Sequence, residues 1–406
     1  MFIKLAWRNI FRNKRRSFIA GIAIGCGLAS LIFVDALMIG MKDNMIQAAT
    51  GTFLGDGQIH AQGFRDTYEV EYTIHNLQEL VSNLKKESSV NHFSLRTLTF
   101  GMITSPSNVS SVNAVGIDPE TEKYVSEIDE SVIAGSYLNK NAENKILIGS
   151  RLAEILEVEL GDRVVLTVAQ AHTGGLSQEL FRVGGIFHFN AGDLDRGMVF
   201  VNMPALQRML GIDNQVHEIV LQFADSSIAQ DSSHMFWEKY SAYKNEAVGW
   251  PVILPQLKSA FELTDFSVLI AAVILFGVVA LGIVNTLFMS LYERMFEFGV
   301  LRSVGTRPWI IAKLIVYEAG ALAVISVGIG VIIGFIATWI VAHTGINYTG
   351  IEFAGVTFRK LLYPVLTVKQ FIVFPFWIII FNIIAGIYPA VYAARMSPIE
   401  AMRKSL

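Results

Sequence analysis

A single cysteine, Cys26, stands in this 406-residue sequence. No disulfide can therefore form within the chain, and its folded parts hold together without covalent staples. Cysteine usage is silent on which compartment any domain faces. Charge is scarce: 17% of residues are Asp, Glu, Lys or Arg against 52% hydrophobic, which excludes an ordinary soluble protein. Catalytic punctuation is missing too. There is no Gly-Lys dipeptide, which excludes the phosphate-cradling GxxxxGK[ST] loop, and there is neither HExxH nor CxxC. Eight histidines are scattered along the chain. The best metal-like group, His188 with Asp193 and Asp195 in HFNAGDLD, fits no helix face or tight chelating loop. It reads as solvated turn carboxylates beside a surface histidine. No nucleophile–base pair is visible, so any energy-consuming step falls to another chain.

What is present is long apolar sequence. Mean hydropathy is +0.47, and the apolarity concentrates at 17–39, 268–291, 309–341 and 371–392. Each run has about 20 or more mostly apolar residues, enough for a helix to span roughly 30 Å of hydrocarbon. The reading is four transmembrane helices, at 17–40, 266–292, 309–342 and 370–392. Between the first two lies 41–265, a segment of ordinary soluble composition and domain length. The first run has a basic start but is longer than a signal-peptide core, with no convincing cleavage site after it. It is read as a retained helix.

Charge orients the chain. Residues 1–16 hold Lys4, Arg8, Arg12, Lys14, Arg15 and Arg16 and no acid. Short loops rich in Lys and Arg stay cytoplasmic. Four crossings then put 293–308 and the tail 393–406 inside as well, and both are net basic. The segment 41–265, with 29 acids and 16 bases, lies outside, as does the short loop 343–369. Residues 1–16 set Phe2, Leu5, Trp7 and Ile10 among cations. This fits an amphipathic helix on the inner membrane surface or a plain topogenic cluster, and nothing calls for nucleic acid.

The soluble segment reads as mixed α and β. A strand is expected at 57–61 (GQIHA), a helix in the second half of 69–86, and a short strand at 146–148. Ser150 is placed to cap a helix ending near Leu156. A Gly161-Asp162 turn leads into a β-branched strand at 164–168. FRVGGIFHFN, GMVFVN and PALQRMLG continue as strand, strand and short helix.

Within the membrane runs, Gly330 and Gly334 form a small-xxx-small pair that suits close helix approach. Pro375 and Pro389 predict kinks in the fourth helix. Asp35 lies roughly 27 Å along its helix from Ser17 and reads as an interfacial residue. Glu318 lies two to three turns inside the third run, where an acid faces protein or water. Asn285 and Asn382 are candidates to bond it or to join helices directly.

The segment ERMFEFGVLRSVGTRP, 293–308, is the most informative connection. Met295, Phe296, Val300, Leu301 and Val304 recur at helical spacing, Gly305 reads as a helix stop, and Arg307-Pro308 opens the next helix. A mere connector needs only a few residues. A charged amphipathic helix in its place fits docking to a cytoplasmic partner or a solvated helix at the membrane interface.

These residues resemble a known family. VNTLFMSLYERMFEFGVLRSVGTRPWIIAKLIVYEAG is similar to the FtsX-like permease domain of ABC transporters of the MacB and lipoprotein-releasing type. Glu293, Arg294, Glu297, Gly299, Leu301, Arg302, Gly305 and Glu318 stand at matching positions. The opening LAWRNIFRNKRRS, the ending YPAVYAARMSPIEAMR and ILIGSRLAEILEVELGDRVVL, which resembles the MacB-type periplasmic core domain, extend the likeness over nearly the whole chain. GDGQIHAQGFRD resembles the lipoprotein-releasing group more loosely.

The resemblance implies an α-helical membrane domain of four transmembrane helices with a mixed α+β extracytoplasmic domain inserted between helices one and two. It implies that 293–308 is a coupling helix, with Glu293, Arg294, Glu297, Phe298, Leu301, Arg302 and Gly305 addressing an ATPase. It makes Gly330, Gly334, Glu318, Asn285 and Asn382 packing or transmission residues. This chain then binds no cofactor; ATP and Mg belong to a separate cytoplasmic ABC ATPase subunit. A second permease chain, same or paralogous, a periplasmic lipoprotein carrier or other periplasmic partner, and membrane lipids complete the expected partners. The expected location is a bacterial inner membrane, and the expected work is lipoprotein release by mechanotransmission. The alternatives are an efflux or peptide-export permease with a separate ATPase, or an FtsX-like signal transmitter.

Overall fold

Mostly apolar sequence without proline carries helix α1 without interruption over Lys14–Ala49. The computed structural model describes residues 5, 7–9, 12, 14–140, 144–353, 356–358 and 360–397. The rest of the N-terminal segment and everything after 397, including the end of YPAVYAARMSPIEAMR, lie outside the described residues. A π-helical turn, Thr50–Leu54, follows α1. Along the chain then come β1 (Gly57–Ala61), α2 (Leu77–Leu84), β2 (Val90–Thr104), β3 (Val109–Ile117), β4 (Val132–Gly135), β5 (Lys145–Gly149), α3 (Ser150–Leu156), β6 (Arg163–Ala169), β7 (Leu176–Phe187), β8 (Met198–Asn202), α4 (Met203–Leu210), β9 (Glu218–Phe223) and β10 (Asn245–Gly249). Helices α5 (Pro255–Glu293), α6 (Met295–Ser303) and α7 (Pro308–Thr344) lead to a two-strand hairpin, β11 (Glu352–Phe353) and β12 (Val356–Thr357), and to α8 (Gln370–Arg395). Shorter helical turns are left unlabelled.

The chain divides into two units. One comprises Met1–Asp43, Phe261–Asn347 and Leu361–Leu406; the other comprises Asn44–Ala260 and Tyr348–Lys360.

In the first unit four helices among the described residues are long and apolar enough to cross a membrane, within 17–54, 255–293, 308–344 and 370–395. Most of their large apolar side chains point outward, as lipid-facing surfaces require. Their shared interior is a cluster that includes Leu28, Ile32, Phe276, Ile283, Leu287, Ala319 and Ile378. Close approach is made by small residues. A Cβ on Gly330 would lie 2.7 Å from the Gly25 carbonyl oxygen, and one on Gly334 would lie 3.1 Å from Ala29 Cα. The small-xxx-small pair of α7 thus packs on α1, where any larger side chain would separate the helices. Pro375 and Pro389 both lie inside α8, which is continuous. Asp35 accepts a hydrogen bond from Gln370 Nε2 at 2.8 Å, which ties α1 to the start of α8.

In the second unit β1–β10 form one ten-stranded mixed sheet, ordered β10-β1-β9-β2-β3-β8-β5-β7-β4, with β6 joining β2 to β7. Most pairings are antiparallel; β3–β8 and β5–β7 are parallel. β2 is long enough to serve three partners: its first half pairs with β9, and its second half with β3 and, at its end, with β6. One core cluster joins α3 and α4 to the sheet through residues such as Leu152, Leu156, Leu206 and Leu210. A second is aromatic, built on Phe53, Phe64, Phe187, Phe189 and Phe200.

Two local expectations are corrected here. Ser150 does not cap α3; it is the first helical residue, with Gly149 at the cap position. Its hydroxyl instead lies 2.9 Å from His188 Nδ1. Asp195 is not a solvated turn carboxylate. It is 1% exposed, accepts from the Phe189 backbone N–H at 2.7 Å and meets His188 Nδ1 at 2.9 Å. The buried turn needs a side-chain acceptor for its backbone, a demand that composition does not reveal.

Candidate functional site

Helix α5 ends at Glu293 because Arg294 leaves helical geometry, with φ −111° and ψ 11°. Helix α6 starts one residue later. It ends at Ser303, and Gly305 adopts φ +97°, a conformation that L side chains rarely tolerate. Gly305 N–H donates to Arg302 O at 3.1 Å and Thr306 N–H to Leu301 O at 3.0 Å, which satisfies the last carbonyls of the helix. Pro308 then takes the first-turn position of α7, where its missing N–H costs nothing.

The buried face of α6 differs from the one its periodicity predicts. Met295, Phe298 and Gly299 face inward, and the first two pack with Leu291, Ile311, Ala312, Ile315, Ala390 and Ala393. Phe296 is 54%, Val300 40%, Leu301 44% and Val304 82% exposed. The stripe taken from spacing as one apolar face is therefore split: Met295 points in, and the other four stand outward. At about 100° per residue Phe296, Val300, Leu301 and Val304 share one side of α6 and Met295 lies on the other, so helix geometry alone divides the stripe.

Polar contacts fix this helix. Arg294 Nη1 donates to Glu318 Oε1 at 2.7 Å, and its Nε lies 3.3 Å from Glu297 Oε2. The guanidinium also lies 5.0 Å from the Phe298 ring centroid. Glu318 Oε1 accepts a second hydrogen bond, from Asn9 Nδ2 at 2.6 Å. Arg12 Nη1 pairs with Glu297 Oε1 at 2.9 Å. Partial burial opposes ionisation of Glu297, but hydrogen bonds from Arg12 and Arg294, with their charges, outweigh it and hold its carboxyl below the usual range. Arg302 Nη1 reaches the Ala394 carbonyl at 3.2 Å. Glu293 is exposed at the end of α5.

Glu318 is buried, as an acid in a membrane helix should be, but its partners are Arg294 and Asn9, neither of which sequence reasoning named. Asn285 is exposed and lines a groove of about 540 Å³ between α1 and α5, together with Arg15, Ile19 and Met289. Asn382 is fully buried, and neither atom of its amide has a hydrogen-bond partner among the described residues. It therefore does not act as hydrogen-bonding glue in this arrangement. Gly330 and Gly334 meet α1 as described. Among the described residues no group of three or more His, Cys, Asp or Glu is arranged to hold a metal ion.

The sheet unit holds a second constellation that the sequence concealed. Arg96, fully buried, donates to Glu122 Oε1 at 2.5 Å and to Glu218 Oε1 at 2.9 Å. His60 Nε2 lies 3.1 Å from Glu218 Oε2, and the Phe53 ring centroid lies 3.9 Å from the Arg96 guanidinium. These residues are scattered between 53 and 218, so only the folded sheet brings them together. Farther along the same face of the sheet, β2, β3 and β7 expose Phe100, Met102, Val109, Leu176 and Leu180. β2 and β6, which link this face, pair Met102 with Thr167.

A bundle of helices long and apolar enough to cross a membrane, with a punctuated, polar-tied connecting helix and a separate mixed-sheet domain, defines a multi-pass membrane protein. Family models match in two places: the MacB-like periplasmic core domain over residues 17–232 and the FtsX-like permease C-terminal domain over residues 269–398. The chain belongs to the FtsX-like ABC transporter permeases that carry a MacB-like periplasmic core domain. It is 27% identical to the lipoprotein-releasing system transmembrane protein LolC of Xylella fastidiosa, over 71% of this chain and 72% of that one. It is 21% identical to YvrN, an uncharacterized ABC transporter permease of Bacillus subtilis, over 99% of this chain and 98% of that one. A solved periplasmic region of MacB from Actinobacillus actinomycetemcomitans covers 51% of this chain at 12% identity with a TM-score of 0.35.

Proposed function

We propose that the chain is the transmembrane subunit of an ABC transporter that releases lipoproteins from the inner membrane by mechanotransmission. In this reading 1–16, 293–308 and 393–406 are cytoplasmic, and the sheet domain and the loop 343–369 face the periplasm. A separate ATPase subunit binds ATP and Mg, and a second permease chain completes the membrane part. The observation that carries the reading is the outward apolar face of α6. Phe296, Val300, Leu301 and Val304 stand exposed on a helix whose other side is anchored by Met295 and Phe298 and whose charges are already paired. Such a face, rimmed by Glu293 and Arg302, suits insertion into a groove of a protein partner. Glu293, Arg294, Glu297, Phe298, Leu301, Arg302 and Gly305 thereby divide into contact and support. The LolC likeness supports the lipoprotein cargo, and the exposed apolar face of the sheet domain supports a periplasmic protein partner such as a lipoprotein carrier.

The second reading, an export permease with other cargo, is favoured by the similarity to YvrN over nearly the whole chain. Both readings share the coupling step. Val300→Asp with Val304→Asp places two carboxylates on the docking face, where surface changes alter stability by only about 0.5 kcal/mol. The expected outcome is loss of the ATPase from the purified permease, measured by quantitative mass spectrometry of the affinity-isolated complex. Undiminished ATPase in that complex would remove α6 as the docking helix.

A further inference from the structure

Five side chains from three distant stretches close a ring on the inner side of α6. Glu318 Oε1 on α7 receives both Asn9 Nδ2 and Arg294 Nη1. Glu297 receives Arg294 Nε on Oε2 and Arg12 Nη1 on Oε1. Asn9 and Arg12 are both helical and three residues apart; Arg294, at the break, and Glu297 are also three residues apart and in direct contact. The ring holds two carboxylates and two guanidiniums and is neutral.

We propose that the N-terminal segment carrying Asn9 and Arg12 is a positioning element for α6, and that this ring hands displacement of α6 to two membrane helices at once. The proposal rests on the coupling reading of α6. One branch runs through Arg294 and Glu318 into α7. The other runs through Glu297 and Arg12 into the residues that lead to α1. These are the two helices that meet at Gly25 and Gly330, so α6 grips a closely packed pair from one end. A surface helix whose only task was to lie on the lipid would have no need to bond a buried carboxylate of α7. A helix tethered by loops alone would dissipate a push in the break at Arg294. The ring removes that freedom: the residue at the break is the one held by both carboxylates.

The Arg12–Glu297 pair separates positioning from folding, because its side chains are 55% and 46% exposed and exposed ion pairs add little to stability. The experiment uses the full permease purified with its ATPase from its native membranes, in nanodiscs, with ATP turnover and ATPase association scored on the same samples. Arg12→Glu is expected to lower turnover at least threefold with the ATPase still bound, and Arg12→Lys to retain most of it. Glu297→Arg is expected to be as impaired as Arg12→Glu. Parent-like turnover in Arg12→Glu, or a loss in Arg12→Lys as large as that in Arg12→Glu, overturns the positioning role. Val304→Asp in the same assay isolates the other failure: if it leaves association intact the coupling reading falls, whatever the Arg12 series shows.

Discussion

Arg294→Ala is expected to abolish coupled ATP turnover and to destabilise the membrane unit by roughly 3–5 kcal/mol, the range for leaving a buried charge unpaired. Arg294 is 9% and Glu318 5% exposed, and their contact at 2.7 Å is charge-assisted. Without the guanidinium, Glu318 retains only the Asn9 amide among these donors, and a carboxylate in that setting is poorly solvated. Stability and coupling separate in the double variant Arg294→Met with Glu318→Leu. An apolar pair of similar volume removes both charges, a replacement that is often neutral or stabilising. Detergent resistance of the membrane unit should return close to that of the parent, while turnover of the permease–ATPase complex stays low. Parent-like turnover in Arg294→Ala would contradict the transmission role of the pair, and recovered turnover in the double variant would reduce that role to packing.

Arg96→Met is expected to have a comparable effect in the sheet unit. Arg96 neutralises Glu122 and Glu218 where water is absent, and its removal leaves two buried carboxylates facing one another with His60 as their remaining basic neighbour. A loss of about 3–5 kcal/mol predicts that amides of β2 and β9 exchange roughly a hundred to a few thousand times faster in the full chain. The pH dependence has a definite sign. In the parent, burial opposes ionisation of Glu218, but His60 and Arg96 outweigh it and hold its carboxyl below the usual range. Its contribution is therefore present above the ordinary carboxylate range and is lost as pH falls through the lowered folded value. In the variant the Arg96 charge that offsets burial at Glu218 is gone, so the Glu218 carboxyl is expected to shift upward. Its penalty applies above the ordinary range and fades as it protonates, so the exchange gap between variant and parent should narrow from pH 7 toward about pH 4.5. Equal exchange in both proteins at neutral pH would show that the ion cluster is dispensable.

Much of this architecture was legible because its signals are local. Twenty-residue apolar runs need no partner to be recognised, and neither do the Gly305 stop, the Pro308 start, or the β-branched strand now seen as β6, Arg163–Ala169. The orientation of α6 was legible only in part. At about 100° per residue Met295 lies opposite Phe296, Val300, Leu301 and Val304, but which side faces inward depends on the packing of Met295 and Phe298 on Ile311, Ile315 and Ala390. The partners of Glu318 were hidden for another reason. Asn9 lies 309 positions away, and the basic N-terminal segment already had a sufficient explanation as a topogenic signal. Asn382 looked like interhelical glue by composition, yet its amide has no hydrogen-bond partner among the described residues. The Arg96 cluster draws on β1, β2, the turn after β3 and β9, and no spacing rule joins residues that only sheet register brings together. Along β2 the alternation fails as a guide, because Phe100 and Met102 are apolar on the exposed side while Ile103 is apolar on the buried side.

The most direct test of the proposed function is depletion of this protein followed by separation of inner and outer membranes and quantitative proteomics of acylated lipoproteins. The account predicts that outer-membrane lipoproteins accumulate in the inner membrane as the protein disappears, and that Arg294→Ala fails to restore their distribution. An unchanged lipoprotein distribution after complete depletion would contradict lipoprotein release and turn the search to peptides, small molecules or a periplasmic signalling partner as the object of the same coupled motion.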